Sequence, residues 1–135
     1  MNLVVDANMI ISALIKKGKV REIILSGKFK FVTPNFIKEE IYKYSEYIRS
    51  KAHLTKEEFD LLLALFFEEI EIISKDEYES ELTRATKIMK NDVKDVTYVA
   101  CYHALKCDGI WTKDQHYQNK QELKVVTTEY LLKLL

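Results

Sequence analysis

Short apolar runs alternate with helical patterns along this chain, and this alternation constrains the fold more than any other feature. Residues 2–6 (NLVVD) contain a short continuous apolar run, which is typical of a strand buried on both faces of a parallel sheet. A helical pattern follows from residue 8 to residue 16. Further strands are predicted at residues 29–33, 70–73, 109–112 and 124–126, and further helices at residues 20–26, 56–68, 75–90, 92–106 and 128–135.

Local signals support several of these boundaries. Pro34 is predicted to start a helix, since its missing N–H does no harm in the first turn. Thr55 and Glu58 have the spacing of a capping box, and so do Ser74 and Glu77. Strands that alternate with helices predict an α/β fold, a three-layer α/β/α sandwich with a mainly parallel sheet of four or five strands.

The size and composition of the chain indicate one globular domain. With 135 residues it is long enough for one core, so we expect a single domain over residues 1–135. The longest apolar run, residues 61–67, is too short to cross a membrane, and the first residues lack the pattern of a secretory signal. Cys101 and Cys107 form no CxxC motif, so we interpret them as reduced thiols of a cytoplasmic protein.

Asp6 ends the first predicted strand, and Asp114 follows the strand predicted at residues 109–112. Ligand sites in parallel sheets lie at the carboxyl ends of the strands, so the two side chains are expected at one edge of the sheet. Thr112, at the end of the strand before Asp114, is expected beside them. The structural alternative for Asp6 is an N-cap of the following helix, a position for which Asn8 competes.

Helical geometry separates the neighbours Glu39 and Glu40. At about 100° per residue, Glu40 falls inside an apolar arc of its helix, whereas Glu39 points the opposite way. A carboxylate within an apolar stripe needs a partner or a metal ion. We therefore predict that Glu40 is a site residue and that Glu39 is a surface charge. The arc consists of Phe36, Ile37, Ile41, Tyr44, Tyr47 and Ile48.

Asp92 and Asp95 lie three residues apart in the first turn of the helix predicted at residues 92–106. Either residue can cap that helix or favour its dipole, and this structural interpretation fits Asp92 well. Asp95 opens a segment that is apolar over most of its circumference, so its carboxylate enters a buried element. We predict Asp95 as a site residue, while Asp92 is either a further metal ligand or a helix cap.

Carboxylates brought together in this way require a positive charge between them. Two ionised carboxylates about 5 Å apart repel by roughly 3 kcal/mol at an effective dielectric near 20. Oxygen ligands suit Mg²⁺ or Mn²⁺, which also bind substrate phosphate and activate water. The serines lack a paired histidine, and His116 is the only histidine near the predicted site. The sequence therefore predicts a divalent metal site for phosphate chemistry.

Charge is unevenly distributed along the chain, although the formal net charge is zero. Residues 15–30 contain six basic residues against one acidic residue, whereas residues 57–81 contain ten acidic residues against one lysine. A basic segment can meet a phosphate backbone, and two solvated helix faces of opposite sign would give the same pattern. The candidate nucleic-acid contacts are Lys16, Lys17, Lys19 and Arg21.

The acidic residues and their sequence context resemble the PIN domain family. The matching segments are VVDAN, KEEI, DVTYVACYHAL and WTKDQHY, which follow the order of the family and span nearly the whole chain. The resemblance implies a Mg²⁺- or Mn²⁺-dependent endoribonuclease acting on single-stranded RNA, often the toxin of a VapBC-type toxin–antitoxin pair and usually a homodimer. It assigns the metal and the attacking water to Asp6, Glu40, Asp95 and Asp114, gives supporting roles to Asn8 and Thr112, and matches Asp92 to an extra acid of some subgroups.

The alternative function is a catalytically silent PIN-like module that binds RNA or a partner protein. A pure binding module has no reason to keep buried acids without partners, so the sequence favours the nuclease. The expected partners are single-stranded RNA and an antitoxin protein, and no membrane association is expected.

Overall fold

The computed structural model describes residues 1–90 and 93–135, and its centre is a five-stranded sheet. Its strands are β1 (Asn2–Val5), β2 (Lys30–Pro34), β3 (Ile70–Ile73), β4 (Gly109–Trp111) and β5 (Val125–Val126). The strand order is β3-β2-β1-β4-β5, and every neighbouring pair is parallel. The predicted α/β/α architecture is confirmed, with a sheet that is parallel throughout these strands.

Helices cover both faces of the sheet. In the described ranges they are α1 (Ala7–Ile15), α2 (Lys19–Leu25), α3 (Ile37–Lys43), α4 (Ser45–Ala52), α5 (Lys56–Glu69), α6 (Lys75–Tyr78), α7 (Leu82–Met89), α8 (Val93–Ala104) and α9 (Thr128–Lys133). Short 3₁₀ turns occupy Glu79–Glu81 and Gln115–Tyr117. None of these helices combines the length and apolar character that a membrane crossing requires.

Successive residues of β1 enter different cores. Leu3 and Val5 pack in the core that α1, α2 and α5 share with the sheet, whereas Val4 packs in the core formed with α7 and α8. In the first core the rings of Phe31 and Trp111 lie 5.5 Å apart. Burial on both faces explains why the β1 sequence is apolar without alternation.

Pro34 ends a strand instead of starting a helix, so that prediction is wrong. It is the last residue of β2, where it pairs with Ile73, and α3 begins three residues later. The pairing of β1 with β2 extends only to Val32, so the missing N–H of Pro34 breaks no bond on that side.

The apolar arc predicted on one helix belongs to two helices, α3 and α4, which meet at Tyr44. Ile37, Ile41 and Ile48 are fully buried, as the arc predicts. Tyr44 and Tyr47 are 42% and 53% exposed, so the arc is not buried over its whole length. Tyr44, with φ −105° and ψ 14°, separates α3 from α4, so the residues of the arc do not share one continuous helix.

The helix predicted at residues 75–90 is divided into α6, a 3₁₀ turn and α7. Tyr78 is buried at the end of α6, and its hydroxyl donates to Asn35 Oδ1 at 2.8 Å. This anchor holds the first turn, and the 3₁₀ turn then redirects the chain so that Ala85 and Met89 pack in the core of α8. The capping box of Thr55 and Glu58 at the start of α5 is confirmed.

A close approach at Gly109 gives a testable consequence for stability. A Cβ at this position would lie 2.8 Å from Val126 Cγ1 and 3.2 Å from the carbonyl oxygen of Lys124. We expect Gly109→Ala to lower the free energy of unfolding by about 1–3 kcal/mol, because backbone and core atoms must both move. Urea unfolding measures this change. Gly18→Ser is the control, since its Cβ would meet only the flexible Lys16 side chain at 3.6 Å. Equal stability of Gly109→Ala and the unmodified protein would contradict this packing.

The direction of the chain through the sheet changes between β1 and β4. The order β3-β2-β1-β4-β5 means that the chain leaves β1 toward one side of the sheet and returns to β4 on the other side. In open parallel sheets a crevice forms at such a switch point, outside the carboxyl ends of the strands. Asp6 and Thr112 follow these two strands directly.

Candidate metal centre

Asp6 is buried at the carboxyl end of β1, with 5% of its surface exposed. It is the N-cap of α1, where its Oδ1 accepts a hydrogen bond from the Met9 N–H at 3.0 Å. Its Oδ2 accepts a second hydrogen bond from Thr112 Oγ1 at 2.5 Å. Burial raises the pKa of the Asp6 carboxyl above its ordinary value, and the charge of Asp114 acts in the same direction. The two hydrogen bonds lower the pKa, but burial is the larger effect.

Thr112 connects the ends of β1 and β4. Its buried hydroxyl donates to Asp6 Oδ2 and accepts from the backbone N–H of Asp114 at 3.0 Å. Because a hydroxyl both donates and accepts, one side chain fixes the Asp6 carboxylate and the start of the following loop. Asp114 caps the 3₁₀ turn in that loop, since its Oδ1 accepts from the backbone N–H of His116 at 2.9 Å.

Asp95 approaches the same loop from α8. The Tyr117 hydroxyl donates to Asp95 Oδ1 at 2.7 Å, and His116 Nδ1 lies 3.3 Å from Asp95 Oδ2. The same His116 nitrogen lies 3.4 Å from Asp114 Oδ1. Burial raises the pKa of the Tyr117 hydroxyl, and the hydrogen bond to Asp95 raises it further, so Tyr117 remains a proton donor in this contact.

Glu40 completes the acidic set from the opposite wall. One cleft of about 370 Å³ at the carboxyl edge of the sheet is lined by Asp6, Glu40, Asp95 and Asp114. Glu40 is half-buried on α3, whereas its neighbour Glu39 is exposed. The structure thus places the four predicted acids around a single cavity, and it separates Glu40 from Glu39 as helical geometry predicts.

Comparison with known proteins identifies the family to which this chain belongs. A family model described as a PIN domain matches residues 4–132. The chain belongs to the PIN domain family.

The fold of this PIN domain is also similar to that of a solved structure. A chain in the crystal structure of VapBC2 from Rickettsia felis, bound to a DNA fragment from their promoter, superposes with a TM-score of 0.65 at 13% sequence identity. The likeness covers 94% of this PIN domain and 98% of that chain. No curated protein matches the sequence. At this identity the structural likeness shows a shared fold.

The donor set of the PIN domain's cleft fits a divalent cation. Ligand atoms of Asp95, Asp114 and His116 lie within 4.8 Å of one another. Within the described ranges no lysine or arginine forms an ion pair with the buried Asp6 carboxylate. PIN domains are generally nucleases, and the family typically uses divalent metals. Carboxylate oxygens are the ligands that Mg²⁺ and Mn²⁺ prefer.

Two further predicted site residues have different outcomes. Asn8 is exposed and lines the cleft, but the N-cap of α1 is Asp6, so Asn8 does not hold the capping position. Asp92 lies outside the residues that the structure describes.

Tyr98 is a residue of the cleft that the sequence analysis did not identify. It is 5% exposed, and its hydroxyl oxygen accepts from the backbone N–H of Ala7 at 3.2 Å. Burial raises the pKa of this hydroxyl, and the charges of Asp6, Glu40 and Asp95 raise it further. A neutral phenol therefore lies among three carboxylates. The signal was available, because Tyr98 follows Asp95 by three residues, the spacing of neighbours on one helix face.

The predicted basic contacts line two hollows that share Gly18 and Lys19. Lys16 and Lys19 line a hollow of about 500 Å³ together with Lys113, which directly precedes Asp114. Lys17, Lys19 and Arg21 line a second hollow of about 480 Å³. The Arg21 guanidinium donates to the carbonyl oxygens of residues 13 and 14 at 2.8 and 3.1 Å. Two of its N–H groups therefore hold the last turn of α1, a structural task that the sequence analysis did not predict.

Proposed function

We propose that this PIN domain is a Mg²⁺- or Mn²⁺-dependent endoribonuclease that hydrolyses phosphodiester bonds in single-stranded RNA. The observation that carries this proposal is the convergence of Asp6, Glu40, Asp95 and Asp114 on one cleft. At separations near 5 Å, such charges repel by about 3 kcal/mol for each pair in a partly polar medium. A divalent cation removes this repulsion and binds the anionic substrate in the same place.

The chain's own residues hold the acidic set in position. Asp6, Asp95 and Asp114 would bind the metal, with Glu40 beside them to orient the attacking water. A bound Mg²⁺ or Mn²⁺ supplies an activated water and neutralises charge that develops on the phosphodiester. Thr112 orients Asp6 through its short hydrogen bond, and Tyr117 orients Asp95.

The lysines beside the cleft offer a path for the RNA backbone. Lys113 precedes Asp114 in sequence, and Lys16 and Lys19 lie with it around the neighbouring hollow. Phosphates flanking the scissile bond would meet these ammonium groups, which adds salt-dependent affinity. We include Lys16, Lys19 and Lys113 in the proposed RNA-binding surface.

The proposed biological setting is the toxin half of a toxin–antitoxin pair. The fold shared with a chain of VapBC2 supports an antitoxin partner for this PIN domain. A homodimer is proposed from the family resemblance. A small antitoxin-like reading frame beside the gene would support the toxin role, and its absence would oppose it.

A cleavage assay with metal titration tests the nuclease activity. We expect a labelled single-stranded oligoribonucleotide to be cut internally when Mg²⁺ or Mn²⁺ is added, and to remain intact in EDTA. Metal should also raise the melting temperature of the protein. If pure protein shows neither cleavage nor metal-induced stabilisation, the silent binding module is the correct function.

The adjacent residues Glu39 and Glu40 provide a matched pair of variants. We expect Glu40→Gln to reduce RNA cleavage by about 10- to 100-fold, the range found when groups that support a metal site are removed. Glu39→Gln removes the same charge from an exposed neighbour and should leave the rate unchanged. Initial cleavage rates at fixed Mn²⁺ measure both. Equal loss in the two variants would indicate a general effect of charge and would oppose a role for Glu40 in the cleft.

A further inference from the structure

Two exposed tyrosines stand on the wall of the acidic cleft. Tyr44 and Tyr47 line the same cavity as Glu40, and they are 42% and 53% exposed. Glu40 lies on α3, Tyr44 at the junction of α3 and α4, and Tyr47 on α4, so the wall of the cleft continues from the acid through both rings. The core beneath this wall is filled by buried isoleucines, so the rings are not needed to complete it.

A lysine ammonium group lies near each of these two rings. Lys43 Nζ lies 5.7 Å from the centre of the Tyr44 ring, and Lys51 Nζ lies 5.8 Å from the centre of the Tyr47 ring. Both lysines are exposed, so their charges remain available to a ligand in solvent. Lys94, which is also exposed, lines the cleft beside Asp95. Two aromatic rings, each with a lysine beside it, and Lys94 therefore lie at the acidic cleft.

We propose that Tyr44 and Tyr47, the aromatic rim, stack unpaired bases of RNA while Lys43 and Lys51 meet the adjoining phosphates. Proteins that bind single strands combine aromatic faces with a positive groove, because every base has a stacking face and every nucleotide has a phosphate. Bases within a duplex already stack on each other and present only their edges. The aromatic rim thereby selects single-stranded over paired RNA. This inference rests on the proposed nuclease function, since it concerns the substrate of the same cleft.

Binding measurements with rim variants test this inference. The probe is an eight-nucleotide single-stranded RNA that carries 2-aminopurine, compared with a blunt RNA duplex, and the Asp95→Asn background prevents cleavage. We expect Tyr44→Ala and Tyr47→Ala each to weaken single-strand binding by about 10-fold, the scale of one lost base–aromatic stack. Duplex binding should not change. Phenylalanine at both positions should keep the affinity and the quenching of 2-aminopurine, since the ring is retained.

Tyr42 provides a matched control on the same pair of helices. It is 49% exposed, like the rim residues, but its ring packs on Phe59 with centroids 5.9 Å apart, away from the cleft. Tyr42→Ala should leave RNA binding unchanged. The inference is overturned if the alanine rim variants bind the single strand as tightly as the unmodified rim, or if the phenylalanine variants lose as much affinity as alanine. It is also overturned if the rim variants change the oligomeric state in gel filtration, because the rim is then a contact between protein chains.

Cleavage by the protein without rim substitutions separates this inference from the proposed function. If the unmodified protein and the alanine rim variants cut RNA with the same preference for single strands, the nuclease function is supported and the inference about the rim is overturned. Rim-dependent binding of RNA without any cleavage in Mg²⁺ or Mn²⁺ would support the rim and oppose the nuclease.

Discussion

Asp6→Asn and Asp95→Asn are each expected to abolish metal-dependent RNA cleavage, with a loss of at least about 100-fold. Asparagine keeps the size of the side chain but removes its charge and one of its two acceptor oxygens, so the variant tests the carboxylate with little change in packing. Loss of groups that merely support a metal site already costs about 10- to 100-fold in metal affinity or activity, and these residues are proposed to bind the ion directly. Initial rates on a labelled single-stranded RNA measure the effect.

The structure indicates which control makes this loss informative. Both carboxylates are buried, at 5% and 7% exposure, so a folding defect must be excluded by circular dichroism and by the melting temperature. Glu39→Gln supplies a change of the same charge outside the cleft. If either aspartate variant keeps more than about one tenth of the cleavage rate, that residue does not bind the catalytic metal.

The sheet and the positions of its strands were readable from sequence because burial on both faces leaves an unbroken apolar run. The apolar run at β1 and the later apolar runs between helical patterns predicted the parallel sheet. The carboxyl ends of these strands then placed Asp6 and Asp114 at one edge of the sheet. Glu40 was separable from Glu39 by helical angle alone. These inferences needed only the period of each element and the direction of the chain.

The features that sequence reasoning missed depend on contacts between elements. Pro34 was placed in a helix because local rules cannot tell that β2 continues through it, paired with β3. The apolar arc that includes Tyr44 and Tyr47 was drawn on one helix, whereas the chain breaks at Tyr44 into α3 and α4. Tyr98 and Tyr117 reach the acids from α8 and from the loop after β4, so their roles follow from a junction of two elements.

The stability of Asp6→Asn is expected to exceed that of the unmodified protein at pH 7 when metal is absent, by about 1 kcal/mol. Burial raises the folded-state pKa of Asp6 above its unfolded value, so the folded state binds this proton more tightly than the unfolded state. The ionised Asp6 carboxylate therefore destabilises the folded state most at pH values above its folded-state pKa. Below the unfolded value, about 4, both states are protonated and the advantage of asparagine disappears.

Bound metal should make the unmodified protein more stable than Asp6→Asn, which is the reverse of the order expected in EDTA. A ligand present at about 100 times its Kd stabilises the folded state by about 2.7 kcal/mol, roughly 10 °C for a domain of this size. We expect Mn²⁺ to raise the melting temperature of the unmodified protein by this order and to leave Asp6→Asn nearly unchanged. Thermal unfolding from pH 4 to pH 8, in EDTA and in Mn²⁺, measures both effects. If Mn²⁺ stabilises the variant as strongly, Asp6 is not a ligand. If the variant is the less stable protein in EDTA at pH 7, the two hydrogen bonds accepted by the Asp6 carboxylate outweigh the cost of its burial, and the argument that the cleft requires a cation fails.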